Sequence, residues 1–426
     1  MTEEKPDEAG NASASEARLV DVVVIGAGII GLMTAWTIAR AGRSVCLIDE
    51  NPSSGSTYAA AGMLAPVSEY HYQEESLLEL MLASSALYPA LIAELALTGE
   101  DNTGYRSTTT ISVGVDAGDR VSLTDLRIEQ LARGLSVAPL SLREVRTLEP
   151  MLSPRLSSAF AIGQDHQVDP RRLSECLIEA IRVIAIEDGW GHEPFIAQNV
   201  VGLLHERKED SSSRVTGVTL ANGSAMVATE VIVANGLAAG ELAGLPGFLR
   251  LALRPVFGDI LRLRVPEQLR PLLSSTVRGL VRGIPIYLVP RDDGTVVLGA
   301  TQRENGSSGV SAGAVHQLLR DAQELVPAVA ELELIEITAR ARAGTPDNAP
   351  LLGRVSCAGV PSDRSGHIPG LIIATGFFRH GVLLAPIAAQ ICLGLLDGVA
   401  DARWAQFRPD RFSNPATSAS PEGATA

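Results

Sequence analysis

Cysteine is scarce in this chain: four among 426 residues, at Cys46, Cys176, Cys357 and Cys392. Cys46 lies in an apolar strand-like run, Cys176 and Cys392 in apolar helical stretches, and Cys357 in a loop. No Cys-x-x-Cys occurs, so neither a zinc nor a dithiol site is expected. Scattered thiols of this kind fit a reducing, cytoplasmic setting. Positive charge is also short, with 35 Lys and Arg against 49 Asp and Glu and a net charge of −14. That balance argues against nucleic acid or an anionic membrane as the main partner, while leaving a small anionic substrate open, since a site needs only local positive charge. Met1 to Arg18 lacks the basic and apolar regions of a signal peptide. It is expected to be a disordered tail over 1–17, matched by a second over 409–426, where Pro, Ser and Ala dominate from Asn414. No repeat at solenoid periods is visible. The length exceeds what one core usually serves, so two domains are expected, and 46% apolar residues can fill them.

What is present centres on Asp21-Val-Val-Val-Ile-Gly26-Ala-Gly28-Ile-Ile-Gly31 and its continuation to Asp49. Val22 to Ile25 suits a strand buried on both faces, Leu32 to Arg40 a helix with Gly42 as its C-cap, and Ser44 to Ile48 a second strand. Gly-x-Gly-x-x-Gly in that context is a dinucleotide fingerprint. Gly26 permits the tight turn, Gly28 lets backbone N–H groups approach a pyrophosphate, and Gly31 lets helix and strand pack closely. The helix N-terminus then faces the phosphates. Asp49 can accept both ribose hydroxyls. The stretch Leu19 to Ala39 is also apolar enough to resemble a membrane span. Asp21, three interrupting glycines and the missing basic flank count against that, and no stable membrane insertion is expected.

Further fully apolar strands are expected at Glu230 to Asn235 and Gly370 to Thr375. Alternating strands are expected at Thr108 to Val115, Asp259 to Val265, Ile284 to Pro290, Thr295 to Thr301 and Leu334 to Arg342, with Asp292-Asp293-Gly294 as a hairpin turn. Glu193 to Leu203 and Arg214 to Leu220 are also strand-like. Helices are expected over Ser76 to Leu97, Leu123 to Leu135, from Asp169 (N-cap) and Pro170, through Val315 to Leu325, and over Leu383 to Leu396. The fold class is therefore α/β: a Rossmann-like nucleotide domain (18–75, 165–245 and 345–400) into which an antiparallel-sheet α+β substrate domain (76–164 and 246–344) is inserted.

Several further motifs follow in order: Ser56-Thr-Tyr-Ala-Ala-Ala-Gly-Met63, Arg254-Pro-Val256, Tyr287-Leu-Val-Pro290, Gly299-Ala-Thr301, Arg342-x-x-Thr-x-Asp347-x-x-Pro350-x-x-Gly353, and Ala374-Thr-Gly-Phe-Phe-Arg379-His-Gly381-Val-Leu-Leu-Ala-Pro386. From about Asp21 to Gly394 the chain thereby resembles the flavin-dependent amine oxidases of the D-amino acid oxidase type, and within them the glycine oxidases of the thiamine pathway. The resemblance implies non-covalent FAD. It places Ile29 and Ile30 along the pyrophosphate, Asp49 and Glu50 near the ribose, and Ser56, Thr57, Ala61, Gly62 and Met63 on the flavin side. Val200, or Val201 one register away, would hold the adenine. Phe377, Phe378, Arg379, His380, Gly381, Val382 and Leu383 would wrap the isoalloxazine. Covalent flavin is not expected, because no cysteine lies between Thr338 and Gly353, where sarcosine oxidases carry theirs.

Arg342, at the end of an alternating strand, offers a planar fork suited to a carboxylate; without the flanking motif it would rank as a surface ion pair. Tyr287 could give its hydroxyl to the same carboxylate, and from pattern alone stands equally as a sheet-packing tyrosine. Arg379 is expected to face both flavin and substrate, with a phosphate or surface contact as the plainer reading. No general base stands out, and none is needed if the amine binds neutral. Two residues depart from the family pattern. Arg340 stands where a glycine is usual and shares a strand face with Arg342, so it is expected to crowd the site or add charge. His380 stands in place of Asn. The expected activity is oxidation of glycine by molecular oxygen to the imine or glyoxylate and hydrogen peroxide, with the imine feeding thiazole formation, in a homo-oligomer. The alternatives are a D-amino acid or sarcosine oxidase or dehydrogenase, an NAD-dependent dehydrogenase, which would leave the Arg379 turn unexplained, and a nucleotide-binding module without chemistry.

Overall fold

Three short parallel strands, Leu19–Ile25, Ala225–Val233 and His367–Thr375, set the frame. The structure is a computed structural model that describes residues 19–97, 102–207, 213–356 and 366–413. Ile25 pairs in register with Val233, and Val233 with Ile373, so the carboxyl ends of these strands lie level. Val45–Ile48 pairs parallel on the other side of Leu19–Ile25. These strands are apolar throughout because both sheet faces are covered. On one face pack the helices Ile29–Arg40, Pro170–Glu187 and Gly381–Leu396. The last is apolar all round, with Val382 to Ala389 buried, as a helix in the middle of a core must be. Leu351–Ser356 closes one edge, and the meander Val200–Arg207 and Ser213–Leu220 extends from Ala225–Val233.

The second sheet runs in the order Glu333–Gly344, Arg254–Arg264, Thr295–Gly299, Ile284–Pro290, Thr276–Val281, Thr110–Gly114, Ser158–Ile162, Ala138–Leu140. It is antiparallel except where Thr276–Val281 meets Thr110–Gly114. The helix Ala312–Leu325 buries Leu318, Ala322 and Leu325 on one face. The other face looks toward the first sheet and carries Ile260, Val289 and Val297 against Ala59 and Ala61.

Several expectations change. The run Leu19 to Ala39 is a strand and a helix rather than one span. The helix expected over Ser76 to Leu97 is two, Glu75–Ser85 and Tyr88–Leu95, parting just ahead of Pro89. The stretch Glu75–Leu95 is long and apolar enough to cross a membrane by composition, yet Leu77, Leu78, Leu80, Met81 and Tyr88 are buried in the core of the first sheet. Ser84 and Tyr88 donate their hydroxyls to the carbonyls of Leu383 and Val382, so this segment packs with the helices of the first sheet. The helix expected from Leu123 starts at Ala117, because Asp116 and Asp119 form a capping box over a polar first turn. Glu193 to Leu203 divides into Phe195–Ile196 and Val200–Arg207. The tail expected from 409 is ordered to Ser413: Arg411 pairs with Asp347 at 2.8 Å, and the Ser413 hydroxyl accepts the Arg250 N–H. The tail over 1–17, Cys357 and the residues from Asn414 onward lie outside the described residues.

Candidate active site

A cavity of about 1380 Å³ opens at the carboxyl ends of the parallel strands and reaches the inner face of the second sheet. Its size exceeds the ~300–1,000 Å³ usual for one small ligand, leaving room for a large cofactor and a small substrate together. The glycine-rich turn forms one end. Gly26 sits at φ +98°, and a Cβ there would stand 2.7 Å from Asn235 Cα. A Cβ on Gly31 would stand 1.9 Å from the Gly26 carbonyl oxygen. Gly28 is the N-cap of Ile29–Arg40, whose first turn holds no acid, so nothing in the turn offsets its partial positive charge. Asp49 accepts the Ala27 N–H at 2.7 Å and the Asn51 N–H at 2.8 Å. The carboxylate therefore fixes the turn as well as facing the cavity.

Of the residues singled out from sequence for this end, Gly26, Gly28, Ile29, Ile30, Asp49, Ser56, Thr57, Ala61, Gly62 and Met63 line the cavity, as do both Val200 and Val201. Two do not. Gly31 lies beneath the turn as a packing contact, and Glu50 accepts from Nδ2 of the lining residue Asn199 at 2.8 Å. Thr57 takes the Ile29 N–H at 3.0 Å, and Ser56 donates to the Ala341 carbonyl at 2.6 Å, which ties this segment to the Arg342 strand. Phe377 to Leu383 all line the cavity, and the Phe378 N–H reaches the Ala343 carbonyl at 2.9 Å. Sequence reasoning missed Gln198 and Asn235. Their side-chain oxygens are buried on the cavity wall with no protein donor. Orphaned acceptors, a bare glycine turn and an unneutralised helix N-terminus fit the hydroxyls and phosphates of a dinucleotide cofactor.

The other end is made of side chains. Arg342 lies across Gly258, where a Cβ would stand 2.4 Å from its guanidinium nitrogens, and Nη1 approaches the Thr301 carbonyl at 3.4 Å. Tyr287 lies across Gly299 in the same way, its hydroxyl 2.4 Å from where a Cβ would be. Burial pushes the Tyr287 hydroxyl up, so it is a neutral donor, and burial is also the main influence lowering Arg342. Among the described residues no carboxylate lies within ion-pair distance of Arg342. Arg379 lines the cavity but is not free. It pairs with Glu74 at 2.9 Å and Glu69 at 3.3 Å, and directs Nε–H at His380 Nε2 at 3.1 Å. His380 is buried as N-cap of the following helix; burial, then Arg379, hold it well below its usual range, so it is neutral. Arg340 also lines the cavity. It is exposed, and Nε donates to the Ser54 carbonyl at 3.1 Å. Arg278, Glu69 and His71 also line this end and were missed. Arg278 stands directly across from Tyr287, ion-pairs with Glu69, and is pushed down to about 10, chiefly by burial. The available cue was a charge inside the apolar run Val277-Arg278-Gly279-Leu280.

Residues 21–393 match the FAD dependent oxidoreductase family (DAO). The chain is 30% identical to the bifunctional protein ThiO/ThiG of Trichormus variabilis over 93% of its own length, and spans about half (56%) of that relative. It is 30% identical to the glycine oxidase of Geobacillus kaustophilus, covering 88% of this chain and 93% of that one. The crystal structure of glycine oxidase from the same organism superposes with a TM-score of 0.78 at 28% identity, over 92% of this chain and 99% of that one. A glycine turn, an Asp-fixed second strand and a cavity built for a dinucleotide thus accompany a match across nearly the whole fold, and the chain belongs to the FAD dependent oxidoreductase family.

Proposed function

We propose that the protein oxidises glycine, with molecular oxygen as acceptor, to iminoacetate and hydrogen peroxide. The imine either hydrolyses to glyoxylate and ammonia or supplies the thiazole of thiamine. The observation that carries this reading is Arg342: a buried guanidinium lining the cavity, beside the Tyr287 hydroxyl, with no carboxylate within ion-pair distance among the described residues. The name of the glycine oxidase relative supports the same substrate.

FAD, when bound, supplies a two-electron acceptor. Gly26 to Ile30, the Ser56 to Met63 segment and the Phe377 to Leu383 turn would hold it. Arg342 presents two parallel N–H donors to the substrate carboxylate, and Tyr287 adds a third. Gly258 and Gly299 let both side chains lie flat against the sheet, which leaves room for a small substrate. Burial of this end disfavours the charged ammonium, so the amine binds neutral with its lone pair free and needs no dedicated base. Holding the reacting carbon in place supplies about 7–11 kcal/mol of the barrier reduction. The same reading divides the chain into two interleaved units: the first sheet with 18–95, 165–245 and 345–400, and the second sheet with the rest of the expected substrate domain.

A peroxide assay of the yellow holoprotein over glycine, sarcosine and D-amino acids tests the substrate. Glycine should give the highest kcat/KM. A D-amino acid or sarcosine favoured about tenfold would replace glycine as substrate, and no peroxide with any of them would remove the oxidase reading.

A further inference from the structure

Four charges at the substrate end have no role in binding one carboxylate. Arg278 and Arg379 both line the cavity, and each is the kind of side chain that would take a second carboxylate. Neither is available. Glu69 ion-pairs with both, and Glu74 holds Arg379 Nη2 at 2.9 Å. The four side chains are only 16%, 20%, 13% and 11% exposed, so water screens them less than it would surface charges. His71 and His380 add nothing to the sum, since burial and Arg379 keep both neutral. Two arginines against two glutamates leave Arg342, beside Tyr287, as a buried cation with no ion-pair partner among the described residues.

We propose that Glu69 and Glu74 restrict this site to amines bearing a single carboxylate. They neutralise Arg278 and Arg379, and Glu69, which itself faces the cavity, repels a second carboxylate. The inference rests on Arg342 as the carboxylate clamp. Glu69 is then a specificity-determining residue whose removal does more than open space: it leaves the Arg278 fork unpaired one strand away from Tyr287.

The test uses the holoenzyme and two ligands that are not turned over, acetate with one carboxylate and malonate with two, titrated by the change in flavin absorbance. The wild type should bind malonate no tighter than acetate. In Glu69→Gln the malonate preference, Kd(acetate)/Kd(malonate), should rise about tenfold or more, and the kcat/KM ratio of iminodiacetate to glycine should move the same way. Glu74→Gln should give the same shift to a smaller extent, because Arg379 keeps Glu69; it serves if Glu69→Gln does not retain flavin. A wild type that already prefers malonate tenfold overturns the proposal without any variant, as does a ratio unchanged in the variants. Because neither ligand reacts, this readout separates the two claims. A shifted ratio without glycine turnover sinks the substrate assignment alone, and glycine turnover with an unshifted ratio sinks this proposal alone.

Discussion

At the dinucleotide end of the cavity the contact surface is largely backbone; at the carboxylate end it is side chain. The first end comes mainly from a contiguous turn, Gly26 to Gly31, held by Asp49 and Thr57. The second gathers Glu69 and Glu74, Arg278, Tyr287, Arg342 and Arg379 from five places in the chain. A backbone site depends on where side chains are absent, so one added methyl group destroys it. A side-chain site depends on which charges are balanced, so it can be retuned while the fold survives.

The largest effect should follow from Gly31→Ala. Its Cβ would meet the Gly26 carbonyl oxygen, and Gly26 cannot retreat while its N–H is bonded to the Ile48 carbonyl at 2.9 Å. FAD affinity should fall about 1000-fold or more, read as flavin content after purification and back-titration. Full flavin retention would mean that the turn is not the anchor.

The next concerns the turn that carries Glu69. Asp165 is buried and accepts the Val67 and Ser68 N–H groups at 3.0 and 3.1 Å, fixing the turn that carries Glu69. Burial raises its pKa from 3.8 to about 6 against the pull of those donors. A carboxyl raised in the folded state contributes stability that is complete below pH ~4 and lost as pH rises through ~6, about 3 kcal/mol over about two units. Asp165→Asn cannot ionise. Urea unfolding from pH 4 to 7 should therefore show the wild type losing stability relative to the variant as pH rises. Parallel curves would place the charge elsewhere.

The smallest of the three is Gly258→Ala, which pushes the Arg342 guanidinium off its seat. The clash is with the far end of a flexible side chain, so the fold and the flavin should remain. The KM for glycine should rise about 10- to 100-fold with flavin content unchanged. Together with Gly31→Ala it breaks the two ends separately; joint loss of flavin in both would show that they are one unit.

The same contrast explains what was legible in the sequence. The glycine turn, the Asp169 cap and the Asp292-Asp293-Gly294 hairpin are local, and each stands where its chemistry requires. The resemblance carried Arg342 and Tyr287 to one cavity. It did not give the partners of Arg379, since Glu69 and Glu74 arrive from a turn more than 300 residues away in the chain. Arg278 lies on Thr276–Val281, a strand with a charge and a glycine in its middle that matches neither an apolar run nor a clean alternation. Gly31 serves the helix packing read from its spacing, and the Glu50 carboxylate, placed near the ribose by the resemblance alone, is taken by Asn199.

The central claim is that Arg342 holds the substrate carboxylate. Anaerobic reduction of the flavin by glycine, compared in wild type, Arg342→Lys and Arg342→Ala at equal flavin content, tests it most directly. Losing a buried charge-assisted pair costs about 2–5 kcal/mol, so half-reduction of the alanine variant should need roughly 30- to 5000-fold more glycine. Lysine should recover only part of this, because an ammonium cannot present two parallel donors. An alanine variant reduced at wild-type glycine concentrations would contradict the account.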